Sequence, residues 1–108
     1  MDKDALTRWA LANGWQEIGG HLSLTKPSAP KEAIVRLQMK ATVVTLEVKK
    51  PAGKWEKAAS LPYGKLVADD ETGLPRGLGL EVIPGFTMLM RENKDRQVFA
   101  SMGGAPKR

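Results

Sequence analysis

Apolar and polar side chains alternate in two runs within Ala33 to Lys50, and no other stretch of the chain is so long without Gly or Pro. Val35, Leu37 and Met39 alternate with Arg36, Gln38 and Lys40. Beyond Val43 the alternation resumes, with Val44, Leu46 and Val48 opposite Thr45, Glu47 and Lys49. A period of two is that of a strand with one face buried, and the β-branched residues of the second half suit a pleated surface. A helix competes over the first half. Ser28 can cap it, Pro30 would sit in its first turn, Glu32 lies four residues before Arg36, and Gln, Met, Lys and Leu favour helix. The alternation selects strand and leaves helix as the alternative. Its phase slips at Val43-Val44, which requires a bulge or a turn around Lys40 to Thr42. No Gly, Asn, Asp or Pro stands there, so a bulge in one long bent strand is expected.

The other elements arrange themselves around this spine. Asp2 to Asn13 reads as a helix, with Asp2 or Asp4 at its start and Leu6, Trp9, Ala10 and Asn13 on one face. Asn13-Gly14 stops it, because Gly accepts the left-handed conformation, and Trp15 then folds back toward Trp9 and Ala10. Trp15 to Thr25 reads as a hairpin turning at Gly19-Gly20. Its register pairs Ile18 with His21 and Glu17 with Leu22, so Trp15, Leu22 and Leu24 share the face the helix covers. Lys26 to Lys31 reads as a loop. Pro51-Ala52-Gly53 makes a turn, and Lys54 to Ser60 returns as a strand. Pro62 to Gly79 is irregular, with a short strand at Lys65 to Ala68, and long loops of this kind often carry function. Leu80 to Ile83 reads as a strand stopped by Pro84-Gly85. Phe86 to Arg91 and Arg96 to Met102 read as a hairpin across Asn93-Lys94-Asp95.

The expected fold is therefore α+β: an N-terminal helix packed on a mainly antiparallel, meandering sheet. At 108 residues one domain is expected, spanning 1–102, with 103–108 as a flexible tail. There is no cysteine, which excludes disulfides, thiolate metal sites and a Cys nucleophile, and fits a reducing compartment. A polar N-terminus without a signal-like apolar core points to the cytoplasm. No apolar run reaches the ~18 residues of a membrane span. His21 is the one histidine, so no metal site or cofactor is expected.

Charge changes the picture more than any motif does. The net charge is +5 and the isoelectric point about 9.7, which favours an anionic partner, nucleic acid or acidic protein. Between Arg36 and Lys65 stand Lys40, Lys49, Lys50, Lys54 and Lys57 against Glu47 and Glu56, with Trp55 and Tyr63 interleaved. Lysines and aromatics on a sheet can bind a phosphate backbone and stack bases. They can equally guard a solvated edge, with Trp55 in the core. Lys49, Lys50, Lys54, Trp55 and Lys57, gathered at a hairpin tip, are the expected binding residues.

Other groups are weaker candidates. Asp69-Asp70-Glu71 offers consecutive carboxylates, without the alternate spacing and terminal bidentate Glu of a calcium loop. Gly73 to Gly79 lacks the ending of a phosphate loop and the frame of a dinucleotide site. His21 has a reference pKa near neutrality and sits beside two glycines, which makes it the one acid–base candidate. The run Asn13-Gly14-Trp15…Gly19-Gly20-His21 resembles, over Asn13 to Pro27, the helix-to-hairpin start of the HicA-type toxins. That resemblance implies mRNA cleavage using a histidine near the turn; the run departs from that family's Gly-Ser-His wording and spacing. The function expected is a small, basic, non-catalytic binding module for an anionic macromolecule. The alternatives are a small RNase using His21 and an assembly subunit that pairs through an open sheet edge.

Overall fold

The structure, a computed structural model, describes the backbone of residues 1–103 and the side chains of residues 1–97. Helix α1 (Lys3–Ala12) is followed by strands β1 (Gln16–Ile18), β2 (His21–Lys26), β3 (Ala29–Met39), β4 (Val43–Lys49) and β5 (Trp55–Pro62), and helix α2 (Phe86–Gly103) is the last element among the described residues. The strands form one antiparallel meander in the order β1-β2-β3-β4-β5. The class is α+β.

Helix α1 begins as the sequence predicts. The Asp2 carboxylate accepts from the Ala5 N–H at 2.8 Å, filling one of the amide bonds a helix start leaves open. Gly14 follows at φ +93°. Trp15 then lies against Trp9 with ring centroids 6.0 Å apart. Trp15 is 1% exposed, whereas Trp9 stays half-buried at the edge of the core. The Gly19-Gly20 hairpin has the predicted register, Ile18 opposite His21 and Glu17 opposite Leu22.

Both helices pack on the same face of the sheet. That inner face carries Leu22 and Leu24 of β2, Val35 and Leu37 of β3, and Val44 and Leu46 of β4, all buried with Leu6 and Ala10 of α1 and Phe86 and Met90 of α2. Val48, also expected inside, is half-exposed at the end of its strand.

Several sequence expectations are corrected. Residues 26–31 are not a loop: Pro27-Ser28 alone makes the turn, and β3 begins at Ala29. Pro30 is tolerated because it lies where the β2–β3 ladder is irregular, with register shifts on both sides of Thr25. The phase slip at Lys40 to Thr42 is a hairpin turn, not a bulge, closed by the Lys40 N–H donating to the Val43 carbonyl at 2.9 Å. A buried tyrosine supplies what the turn sequence lacks: the Tyr63 hydroxyl donates to the Lys40 carbonyl at 2.6 Å. Burial pushes the Tyr63 phenol up from its usual pKa.

Lys65 to Ala68 is not a strand. Tyr63–Lys65 is a 3-10 turn, and only the Val67–Arg76 bridge follows. Leu80–Val82 is likewise a 3-10 turn, not a strand, entered through Gly79 and too close to Pro84-Gly85 to extend. The irregular segment is largely structural, since Tyr63, Leu66, Leu74, Leu78 and Leu80 are buried in the core.

The expected C-terminal hairpin is instead the single helix α2. Thr87 to Gln97 holds good helix formers with no Gly or Pro, and Phe86, Met90 and Asn93 recur at helical spacing and are buried. Asn93, expected at a turn tip, is 1% exposed. Its Nδ2 donates to the Thr25 carbonyl at 3.0 Å and its Oδ1 accepts from the Thr25 N–H at 3.0 Å, which ties α2 to the irregular end of β2. Helix α2 is described through Gly103; 104–108 of the expected tail lie outside the described residues.

Candidate anion-binding face

The outer face of the sheet, opposite both helices, carries Ile18 of β1, His21 and Ser23 of β2, Arg36 and Gln38 of β3, Thr45, Glu47 and Lys49 of β4, and Trp55, Lys57 and Ser60 of β5. This assignment follows from the cross-strand partners, because paired residues share a face. One irregularity decides the composition of the β5 end. Between Leu46 and Glu47 the β4–β5 register shifts, leaving Ala58 without a partner on β4. Below the shift Lys57 pairs with Glu47 and Trp55 with Lys49. Without the extra residue, Trp55 and Lys57 would turn to the inner face.

Three groups interlock there. The Arg36 Nε–H donates to Glu47 Oε1 at 2.7 Å, with the two side chains only 25% and 17% exposed. The same guanidinium lies 4.0 Å over the Trp55 ring. A cation over an indole contributes ~0.5–2 kcal/mol, depending on how far it is shielded from water. The arrangement holds the half-buried Trp55 ring in one orientation. Beside it is an open depression of about 610 Å³, lined by Ile18, residues 29–33, Lys49 and Trp55.

The predicted binding residues are thus partly gathered and partly dispersed. Lys49 and Trp55 line the depression, and Lys57 stands next to Glu47 on the same face. Lys54 is exposed in the turn, which is closed by the Lys50 N–H donating to the Lys54 carbonyl at 2.7 Å. Lys50 is the exception to a free basic tip, since its ammonium pairs with Glu56 at 3.0 Å. Tyr63 leaves the surface altogether, at 7% exposed. Sequence reasoning did not place Arg36, Ile18 or the 29–33 stretch with Lys31 in the site. Reading Lys40 to Thr42 as a turn would have put Arg36 opposite Glu47, because the alternation on either side then sets the register.

Among the described residues, Lys31, Lys49, Lys54 and Lys57 make no ion pair, while Glu32 is taken by Lys26 and Glu47 by Arg36. The unpaired charge around the depression is therefore positive. His21 lies on the same outer face, and its Nδ1–H donates to the Gly19 carbonyl at 3.1 Å, within its own turn.

The acidic turn sits elsewhere. Asp69 Oδ2 accepts from Arg76 Nε at 2.8 Å and Oδ1 from the Glu71 N–H at 3.0 Å. These bonds close the 69–76 loop. The Arg76 guanidinium, helped by the Glu71 and Thr72 amides, holds the Asp69 carboxyl below its usual pKa. Among the described residues no group of three or more His, Cys, Asp or Glu is placed to hold a metal ion, and no helix is long and apolar enough to cross a membrane. Comparison with family models, curated proteins and solved structures returns no match.

Proposed function

We propose that this chain is a non-catalytic cytosolic module that binds an anionic macromolecule, nucleic acid in preference to an acidic protein, through the outer face of its sheet. One observation carries the reading: Lys31 and Lys49 line the depression beside the Trp55–Arg36 stack and Lys57 stands opposite Glu47, none of them ion-paired among the described residues, on a face that neither helix covers there. Clustered like charges repel in the free protein, and a polyanion relieves that repulsion. Folding itself gains little from gathering exposed lysines around an aromatic ring.

The two alternatives have less support. For an RNase, His21 has the carbonyl of its own turn as its side-chain partner, and among the described residues it makes no hydrogen bond or ion pair to a second acid or base that could share the work. For edge-to-edge assembly, β5 is blunted by the register shift, by Lys57 and by Pro62, which are devices that discourage pairing.

The test is a salt titration of binding to a mixed-sequence oligonucleotide, a duplex and polyglutamate, for wild type and Lys49→Gln/Lys57→Gln. Gln replaces Lys because Lys57 stands opposite Glu47, where a Glu would add like-charge strain. The double variant should bind nucleic acid more weakly, with the log–log salt slope shallower by roughly 0.7–0.9 for each phosphate no longer neutralised, and with its melting temperature unchanged. Tighter binding of polyglutamate than of either nucleic acid would move the partner to acidic protein. Absence of salt-sensitive binding to all three at low salt refutes the proposal.

A further inference from the structure

We infer that the depression beside Trp55 seats an unpaired nucleobase, so that the partner is a single-stranded nucleic acid and not a duplex. The inference rests on the anion-binding reading and makes it specific. A duplex offers a protein its phosphates and its groove edges, while its base faces are stacked inside the helix. Lysines alone would suffice for such a partner. This face has more than lysines. Its depression, about 610 Å³, has a largely apolar lining of Ile18, Ala29, Pro30, Ala33 and the indole of Trp55, with the polar groups Lys31, Lys49 and Glu32, whose carboxylate is paired to Lys26 at 3.4 Å. An apolar, aromatic hollow whose unpaired charges, Lys31 and Lys49, are positive matches one chemistry well: a flat base whose own phosphates lie alongside it.

The Trp55 ring is also held in place before any ligand arrives. Arg36 lies over it at 4.0 Å, and Glu47 holds Arg36 at 2.7 Å. A stacking surface fixed in advance loses less conformational freedom on binding. Arg36 adds positive charge at the ring, and a guanidinium plane is itself a surface on which bases stack. Base stacking tolerates any sequence because every base has a π-face, so little sequence preference is expected.

The decisive probe needs no variant. Wild-type protein is titrated with a fluorescent single-stranded oligonucleotide, with an abasic strand of equal length and charge, and with the corresponding duplex, all at one salt concentration. The intact single strand should bind roughly 5- to 150-fold tighter than the abasic strand, the range one base–aromatic stack supplies. Trp55→Leu should erase that difference. Trp55→Phe should keep most of it, and Ile18→Ser, at the far wall, should reduce it. Equal binding of intact, abasic and duplex probes, all weakened by salt, overturns the base seat while the anion-binding reading stands. Binding of none of them overturns both. A single-strand preference that survives Trp55→Leu in a folded protein also overturns the seat at this position.

Discussion

Replacing Asn93 is the sharpest test of how the second helix is held. The side chain is 1% exposed and faces Thr25, which is fully buried. Thr25 sits where the β2–β3 ladder loses its register. Its N–H donates to Asn93 Oδ1 and its carbonyl accepts from Asn93 Nδ2, each at 3.0 Å. The Thr25 hydroxyl also donates to Oδ1, and it keeps a second partner in Arg96 at 2.7 Å. The Leu89 carbonyl, which accepts from the same Nδ2 at 2.9 Å, retains its helical bond. Asn93→Ala therefore orphans two buried backbone groups, the Thr25 N–H and carbonyl. A buried group left without its partner costs about 1–3 kcal/mol, so a loss of about 2–6 kcal/mol is expected for the two. Denaturant unfolding measures it as a lower midpoint at unchanged slope. Asn93→Leu separates polarity from volume, since it refills the space without restoring either bond. Its loss should match that of Asn93→Ala. A leucine variant within ~0.5 kcal/mol of wild type would show that filling the site suffices and that the amide clamp is not what docks α2.

Other perturbations test other joints. Gly14→Val should cost about 2 kcal/mol or more by thermal unfolding, because φ is +93° and a Cβ there would meet the Lys94 N and Met90 O backbone atoms of α2 at 2.7 Å; an unchanged melting temperature would refute the packing of α2 against this junction. Leu46→Ala, fully buried on β4, should cost about 2–5 kcal/mol, and rapid amide exchange through Val43 to Val48 would contradict its interior place in the sheet. The Asp69 carboxyl is held below its ordinary value of 3.8, so its contribution is fully present above that value and is lost as pH falls through the lower, folded one. Asp69→Asn should flatten the acid limb of the stability curve below about pH 4; an acid limb identical to wild type would refute the Arg76 clamp.

The parts of the fold that local signals dictate were legible in the sequence. A cap, a Gly stop and a Gly-Gly turn each act within a few residues, and α1, Gly14 and the β1–β2 hairpin follow from them. The alternation of Val35 to Met39 and of Val44 to Val48 likewise set which side chains of β3 and β4 turn inward. Long-range partners dictate what was misread. The turn after Met39 has no turn residue of its own and is braced by Tyr63, more than twenty positions away. Helix α2 reads poorly because its inward stripe is cut by Asn93, whose polarity is satisfied largely by β2. An Asn beside Lys and Asp signals a turn locally; buried against an irregular strand it signals a clamp.

The site was legible in composition and obscure in geometry, for a reason that bears on how it is probed. Counting charge along the chain places Lys50 with Lys49, Lys54 and Lys57, but a strand sends neighbours to opposite faces, and Lys50 pairs with Glu56. Trp55 and Lys57 reach the outer face only because the register shift leaves Ala58 unpaired, a feature with no Gly or Pro to announce it. Arg36, whose charge Glu47 occupies, acts through the plane of its guanidinium over Trp55. Reversing Lys50 to Glu would set two carboxylates against each other at the hairpin tip as well as remove a cation. Weaker binding in that variant would therefore mix a distorted hairpin with a missing positive charge. Neutralising Lys49 and Lys57 disturbs no ion pair among the described residues, and a change in their salt slope reports on the bound anion alone.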